Sequence, residues 1–158
     1  MARIRAREWG GVEYWTARIS GYLQGQINPQ HALPPRTCYI ATEHGSVVGF
    51  VAGHLTVRHG CHGELEWINV IRERRRDGVA SQLLRLLARW FFQQGAFRVC
   101  VDVNPANPEA LAFYMRNGAE RLNENWLVWN DIRIVMGKQR ERARRTRDGR
   151  TLEASSQQ

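Results

Sequence analysis

The sequence contains few cysteines and no long apolar segment. Of its 158 residues only three are cysteines, Cys38, Cys61 and Cys100, and no two of them form a CxxC pair. An odd number of thiols without such a pair is typical of a reduced, cytoplasmic protein. No run approaches the roughly 20 consecutive apolar residues that cross a bilayer. The basic N-terminus is not followed by an apolar stretch, so we expect neither a membrane anchor nor a signal peptide.

Acidic residues are also scarce. Asp and Glu number 15 against 23 Lys and Arg, which gives a formal net charge of +8, and residues 137–158 carry half of that excess. Arg72 and Arg74–Arg76 form a second concentration of positive charge. Such a surface favours anionic partners: a phosphorylated cofactor, a nucleic acid or an acidic lipid. The length predicts one domain, residues 1–136, followed by a basic, flexible tail, residues 137–158.

Apolar periodicity and turn residues predict a mixed α/β sheet with helices on its faces. The first predicted elements are a short strand (Ala2–Ala6), a helix (11–25, with Val12, Trp15, Ile19 and Leu23 on one face), a proline-rich loop (Asn28–Arg36) and a hairpin (Thr37–Thr42 and Ser46–Val57 around Glu43-His44-Gly45). A turn (Arg58–Gly63), a strand (Glu64–Ile71), a helix (79–94) and a strand (Phe97–Val103) follow. The last predicted elements are a helix between Asn107 and Gly118 and two strands within Ala119–Met136. For the last helix, Asn107 is the expected N-cap, Pro108 the first helical residue and Gly118 the end.

The most informative segment is Ile68–Ser81, which reads as a strand, a basic turn containing Gly78 and the start of a helix. The helix is indicated by an apolar stripe at helical spacing: Val79, Leu83, Leu86, Leu87 and Trp90. A turn of this kind directs unpaired backbone N–H groups and positive charge at one point. It therefore predicts a binding site for a phosphate or pyrophosphate group.

Two sequence blocks resemble the Gcn5-related N-acetyltransferase (GNAT) family. The loop Arg75-Arg76-Asp77-Gly78-Val79-Ala80 resembles the family pattern Arg/Gln-x-x-Gly-x-Gly/Ala, and Ile68-Asn69-Val70 resembles the strand end before it. About thirty residues on, Asn107–Ala119 resembles the block Asn-x-x-Ala-x-x-x-Tyr-x-x-x-Gly-Phe/Ala. The resemblance covers roughly residues 37–136 and, more loosely, the N-terminal helix. Asp77 departs from the family, which often has Gly or Lys at this part of the loop.

The resemblance implies a mostly antiparallel central sheet of about six or seven strands flanked by about four helices. It implies acetyl-CoA as co-substrate, no metal, and self-association of the C-terminal strands as a homodimer. The loop would cradle the pyrophosphate, while the strand end and Asn107 would contact the pantetheine arm. The coenzyme-binding residues implied in this way are Ile68, Asn69, Val70, Arg75, Arg76, Asp77, Gly78, Val79, Ala80, Ser81 and Asn107.

The implied reaction moves an acetyl group to a primary amine by direct attack on the thioester. Within the resemblance, Tyr114 is the general acid that protonates the leaving thiolate; its helix position equally fits a core aromatic residue. Glu64 and Glu66 alternate along one strand, and either is a candidate water-mediated base. The alternative for both carboxylates is a solvated strand edge or a salt bridge to an arginine. A bulge in this strand would change which of the two points inward.

The acceptor amine is left open among a polyamine or aminoglycoside, a free amino acid and a protein amine. Asp102 and Trp126 are candidate acceptor contacts, and Glu124 and Asp131 are expected to join the carboxylates of an acidic cleft. His54 is expected to be packed or to face the acceptor. The segment His59–His62 contains two histidines and a cysteine but has no second ligand cluster, so no functional metal is expected there.

Two competing functions follow from other features. The basic tail would suit a nucleic-acid-binding or scaffold protein, but it has no interleaved aromatic residues for base stacking, so nucleic-acid binding is not favoured. A non-catalytic acyl-CoA sensor is the third hypothesis, against which Asn107 and Tyr114 argue.

Overall fold

Residues 1–137 are described by a computed structural model of the chain, and the predicted tail beyond Gly137 lies outside the described residues. The elements are α1 (Ala2–Ala6), α2 (Val12–Leu23), β1 (Ala32–Glu43), β2 (Ser46–Thr56), β3 (Gly63–Val70), α3 (Val79–Gln93), β4 (Val99–Asp102), α4 (Pro108–Arg116), β5 (Glu120–Arg121) and β6 (Trp126–Trp129), with 3-10 turns at Arg58–Gly60 and Arg72–Arg74. None of the helices in this part of the chain has the length and apolar character needed to cross a membrane.

The six strands form one sheet in the order β1-β2-β3-β4-β6-β5. Within the described chain β3 and β4 are the parallel pair, and the other neighbours are antiparallel. The predicted mixed, mostly antiparallel α/β fold is therefore confirmed.

Helices cover both faces of the sheet, and β2 shows why. Its residues are buried on both sides: Val51 packs with α3 and α4, whereas Phe50 and Ala52 pack with α1 and α2. The larger cluster contains Leu83, Leu84, Leu87, Ala88 and Phe91 from α3, and the smaller contains Ile4, Trp15, Ile19 and Tyr22 from α1 and α2. The sheet is thus the middle of three layers.

The parallel pair diverges along its length. β3 and β4 are paired only from Gly63–Val99 to Leu65–Val101, although β3 continues to Val70. From Glu66 onward β3 therefore has a neighbour on its β2 side alone. This divergence opens the central sheet beside the first turn of α3.

A β-bulge at Glu66 interrupts the β2–β3 ladder. Ala52 is opposite Trp67 and the next β2 residue, Gly53, is opposite Leu65, so Glu66 is the extra residue. Leu65 packs in the α3 layer, while Trp67 packs in the α2 layer. The bulge therefore reverses the alternation of β3.

Local turn and cap signals were reliable predictors. The hairpin is confirmed, with His44 (φ 48°) and Gly45 (φ 76°) as the two loop residues between Glu43 and Ser46. Both central residues are left-handed, as a tight hairpin turn requires. Asn107 caps α4 by accepting a hydrogen bond from the N–H of Ala110 at 3.0 Å.

Three predicted elements were wrong. Ala2–Ala6 is a helix, because alanine and arginine favour helix and the segment has one buried side chain, Ile4. The proline-rich loop ends at Ala32, where edge strand β1 begins; its two prolines occupy an irregular, unpaired part of that strand. The last predicted strand ends at Trp129, and residues 133–137 are helical.

Two predicted apolar stripes were partly wrong. In α3, Leu83 and Leu87 are buried as predicted, but Leu86 is exposed and Phe91 is buried in its place. In α2, Val12 and Leu23 at the two ends of the predicted stripe are exposed, and Tyr22 is buried.

Candidate active site

A cleft of about 1420 Å³ lies where β3 and β4 diverge. It is bordered by most of the residues that the sequence predicted: Glu64, Glu66, Ile68, Asn69, Val70, Arg75, Arg76, Gly78, Ala80, Ser81, Asp102, Asn107, Tyr114 and Trp126. Asp77 and Val79 do not border it, and Val79 packs against the α3 core. The fold thus brings the two sequence blocks together.

One end of the cleft is an anion-binding loop. None of the backbone N–H groups of residues 76–81 donates to a carbonyl or side chain of another described residue. Arg76 (φ 70°) and Gly78 (φ 82°) are left-handed, and the second is the N-cap of α3. A Cβ at Gly78 would meet no atom within 4 Å, so the space above the turn is open. A row of free donors at a helix N-terminus suits a phosphate or pyrophosphate group.

The arginines of this loop differ in their partners. Arg74 pairs with Glu43 at 2.6 Å and with Asp77 at 3.5 Å, so the unexpected carboxylate is directed at an arginine. The pKa of Arg74 is raised by the hydrogen bond and charge of Glu43. Arg76 makes no ion pair with another described residue and borders the cleft. Its positive charge is available to an anionic ligand.

Arg75 connects three elements across the mouth of the cleft. Its Nε donates to the Val70 carbonyl at 3.2 Å, and its guanidinium pairs with Glu8 and lies 3.9 Å from Glu109. Asn69 continues this network, donating to Glu8 at 3.1 Å and accepting from Arg5 at 3.2 Å. The end of β3 is therefore fixed to the N-terminal segment.

Asn107 lies on the opposite wall. Its Oδ1 caps α4, whereas its amide nitrogen makes no hydrogen bond with a described residue. This free donor and the unpaired edge of β3 border the same cleft.

Tyr114 is packed by its ring, with Phe113 and Trp129 at centroid distances of 5.4 and 5.8 Å. Its hydroxyl makes no hydrogen bond with a described residue and is not fully buried. Burial raises the pKa of Tyr114, with Arg5 opposing and Asp102 adding to this shift. The phenol is neutral over the physiological range and retains a proton to donate.

Glu64 is buried in a network of polar groups. Its Oε2 accepts from Arg58 Nε at 3.1 Å and from the Thr56 hydroxyl at 3.3 Å, and it lies 3.6 Å from Nε2 of His54. Burial opposes ionisation, but hydrogen bonds and charges from His54 and Arg58 together outweigh it and lower the pKa of Glu64. This carboxylate is thereby a weak base.

Glu66 has the opposite electrostatic environment. It borders the cleft and makes no hydrogen bond or direct ion pair with a described residue. Burial raises its pKa, aided by the charge of Glu64 and opposed by the charges of His54, Arg18 and Arg5. A partly accessible carboxylate with a raised pKa suits the acceptance of a proton.

His54, Glu64 and Glu66 place one potential ligand atom each within 4.8 Å of one another. His54 is fully buried, and its Nδ1 is hydrogen-bonded to the Tyr22 hydroxyl at 3.0 Å. The Arg58 guanidinium already holds Glu64, and a cation there would be repelled by it. Among the described residues the predicted turn His59–His62 is not part of a potential metal cluster.

Asp102 and Trp126 lie opposite each other on β4 and β6. Trp126 packs against Arg58, whose guanidinium carbon is 4.8 Å from the ring centroid. Burial raises the pKa of Asp102, with Glu64 adding to the shift and Arg58 opposing it. Both candidate acceptor contacts therefore lie beside the Glu64 network.

The expected acidic lining was partly wrong: Glu64, Glu66 and Asp102 border the cleft, but two other candidates do not. Glu124 and Asp131 do not border it, and Asp131 pairs locally with Arg133 at 2.6 Å. The bordering carboxylates are Glu8, Glu64, Glu66, Asp102 and Glu109, and the bordering arginines are Arg5, Arg18, Arg58, Arg74, Arg75, Arg76 and Arg116. Arginines outnumber carboxylates in this surface.

Sequence reasoning named none of the residues of the N-terminal wall, which are Arg5 of α1, Glu8 and Trp9 of the turn after it, and Tyr14 and Arg18 of α2. Only the clustering of Trp9, Tyr14 and Trp15 in seven positions was a usable signal, since charges on α1 carry no recognisable spacing.

The family follows from comparison with known proteins. A model of the acetyltransferase (GNAT) family matches residues 4–119, more than half of the chain. The chain belongs to this family. The match includes α2 and most of α1, the two helices at the N-terminal wall.

Solved structures of GNAT acetyltransferases share the fold. An acetyltransferase from Thermus thermophilus is 19% identical with a TM-score of 0.62, over 76% of this chain and 75% of that chain. One from Bacillus cereus ATCC 14579 is 18% identical with a TM-score of 0.53, over 73% of this chain and 88% of that chain. One from Bacillus anthracis str. Ames, in complex with acetyl coenzyme A, is 20% identical with a TM-score of 0.51, over 61% of this chain and 62% of that chain. No curated protein matches the sequence.

Proposed function

We propose that this GNAT protein is an acetyl-CoA-dependent N-acetyltransferase that moves an acetyl group to a primary amine. The observation that carries the proposal is the row of unpaired N–H groups at residues 76–81 beside the open edge of β3. Together they form one continuous cleft with a phosphate-binding end and a strand edge for an amide-containing arm.

On the donor side, the pyrophosphate of the coenzyme binds the loop N–H groups, with Arg76 adding positive charge. Backbone groups of Ile68, Asn69 and Val70 pair with the amides of the pantetheine arm, as an added strand would. The free amide nitrogen of Asn107 donates to the same arm from the opposite wall. Asp77 contributes through its backbone N–H, because its side chain pairs with Arg74.

On the acceptor side, Glu66 is the base. A primary ammonium group loses a proton to Glu66, directly or through water, and the neutral amine attacks the thioester carbonyl carbon. The new C–N bond forms and the C–S bond breaks. Glu64, held ionised by Arg58, orients the site electrostatically rather than accepting the proton.

Tyr114 is the acid. Its protonated hydroxyl donates to the leaving sulfur, and the phenolate regains a proton from the attacking amine through solvent or Glu66. The buried ring fixes the hydroxyl at the cleft, which a flexible residue would not do as well.

We also propose that the protein is cytoplasmic, that residues 1–136 form the acyltransferase domain and that the protein forms a homodimer. The basic tail lies outside the described residues. Calorimetry with acetyl-CoA, followed by a thiol-release assay with amines, tests the proposal. Binding with amine-dependent thiol release supports it, whereas binding without release for any amine would favour an acyl-CoA sensor.

A further inference from the structure

Aromatic rings of the N-terminal wall line the cleft. We call the part of the cleft bordered by this wall and Glu66 the acceptor half. Trp9 and Tyr14 are 63% and 46% exposed and contact each other at 5.5 Å between centroids. Both contact the buried Trp15, at 5.5 and 5.2 Å. All three border the cleft. Large apolar rings that stay accessible in a concave site are suited to an apolar or aromatic ligand group.

Arg18 lies beside these rings. It follows Tyr14 and Trp15 by one helical turn of α2, so the three side chains share one face of that helix. It is half-buried, borders the cleft and makes no hydrogen bond or ion pair with a described residue. A half-buried arginine that makes no hydrogen bond or ion pair has its donors available to an anionic group of a ligand.

The other two arginines of the acceptor half are already engaged. Arg5 donates to Asn69 and stacks on Trp15, with its guanidinium carbon 4.2 Å from the ring centroid. Arg58 is held by Glu64. Within the described residues, Arg18 is thus the acceptor-side cation that remains available to an anion.

Arg18 and Glu66 carry opposite charges in the same space. The charge of Arg18 acts on Glu66, but the two groups form no direct ion pair. An unpaired cation and an unpaired anion that border the same cleft are complementary to a zwitterion, in which an ammonium and a carboxylate are one carbon apart.

We propose that the acceptor is a free α-amino acid with an aromatic or large apolar side chain. Its carboxylate binds Arg18, its α-amino group lies at Glu66, and its side chain packs on Trp9 and Tyr14. The inference rests on the proposed N-acetyltransferase function and names its substrate class.

The chemistry balances within this arrangement. The α-ammonium group gives one proton to Glu66, the amine nitrogen forms the amide bond to the acetyl carbon, and the C–S bond breaks. The thiolate takes its proton from Tyr114, the second proton of the amine returns to the Tyr114 phenolate through solvent, and Glu66 releases its proton to solvent. The product keeps its carboxylate at Arg18 but loses the positive charge that faced Glu66, which favours its release.

The test compares acceptors that differ only in the carboxylate. Thiol release from acetyl-CoA by the full-length protein is measured with L-tryptophan against tryptamine, L-phenylalanine against phenethylamine, and spermidine. We expect kcat/KM to be about tenfold or more higher for each amino acid than for its decarboxylated partner, as one charge-assisted hydrogen bond would give. Equal or better use of the decarboxylated amines or of spermidine would overturn this inference and leave N-acetyl transfer intact.

Variants of Arg18 make the test specific. Arg18→Gln should raise KM for L-tryptophan about tenfold with little effect on tryptamine, and Arg18→Lys should restore part of the preference. Arg89→Gln on α3 is the matched control, since Arg89 is exposed, unpaired with any described residue and away from the cleft. If Arg18→Gln weakened both acceptors alike, its role would be structural and the inference would fail. If no amine were acetylated although calorimetry detected acetyl-CoA binding, the proposed function itself would fail.

Discussion

Glu64 and Glu66 place carboxylate oxygens within 4.8 Å of each other, yet their pKa values are displaced in opposite directions. The bulge at Glu66 is the cause, because it adds a residue to β3 and moves Glu66 toward the cleft rather than into the Arg58 network. Two carboxylates with divergent pKa values can take different roles in one site.

Glu66→Gln should abolish most turnover. Removing a general base lowers rate by roughly 100- to 10,000-fold. In the wild type, kcat/KM should rise with pH through an apparent pKa above the ordinary value of 4.5, because only ionised Glu66 accepts a proton. The variant should lose that limb of the pH profile while acetyl-CoA binding, measured by calorimetry, is retained. An unchanged profile would remove Glu66 from the mechanism.

Glu64→Gln should act mainly on stability. The pKa of Glu64 is lowered in the folded state, so its contribution is present above the unfolded pKa near 4.5 and is lost as pH falls toward the folded value. At pH 7 we expect a loss of roughly 1 to 3 kcal/mol, since Arg58 keeps a weaker partner. Urea unfolding of both proteins should show this difference shrinking below pH 4.5. The exposed Glu124→Gln is the control. A difference that does not vary with pH would contradict the account of Glu64.

Tyr114→Phe should lower kcat more than it weakens coenzyme binding. The ring packing against Trp129 is preserved, and only the proton donor is removed. Single-turnover rates and calorimetric Kd values separate the two effects. Tyr39→Phe on β1, outside the cleft, controls for loss of a hydroxyl. Equal activity of Tyr114→Phe and wild type would exclude Tyr114 as the acid.

Gly78→Asp should abolish acetyl-CoA binding. The left-handed backbone at φ 82° disfavours a side chain by roughly 1 to 2 kcal/mol, and a carboxylate would occupy the open space above the free N–H groups. Gly25→Asp is matched, because Gly25 also has positive φ (74°) and an unobstructed Cβ position but lies outside the cleft. If both variants lost binding equally, global strain rather than the loop would explain the effect.

Local signals in the sequence predicted several turns and helix ends well. The hairpin turn at His44-Gly45 and the cap at Asn107 depend on neighbouring residues alone, and both are confirmed. The loop before α3 was located in the same way, from a strand, a basic turn containing Gly78 and an apolar stripe at helical spacing.

The acceptor half depends on contacts between distant segments. The direction of Glu66 is set by the bulge opposite Ala52 and Gly53, which no local pattern specifies. Arg5 meets Asn69 from 64 positions away, through a helix that the sequence suggested was a strand. The same helix and α2 replace the expected acidic wall with aromatic rings and arginines.

The proposed acetyl transfer depends most directly on the coenzyme site. Calorimetric titration of the wild type and Gly78→Asp with acetyl-CoA measures it without knowledge of the acceptor. We predict one site with micromolar-class affinity in the wild type and no detectable heat of binding in the variant. The absence of binding to a folded wild-type protein would contradict the assignment of residues 76–81 as the pyrophosphate site and, with it, the proposed acetyl transfer.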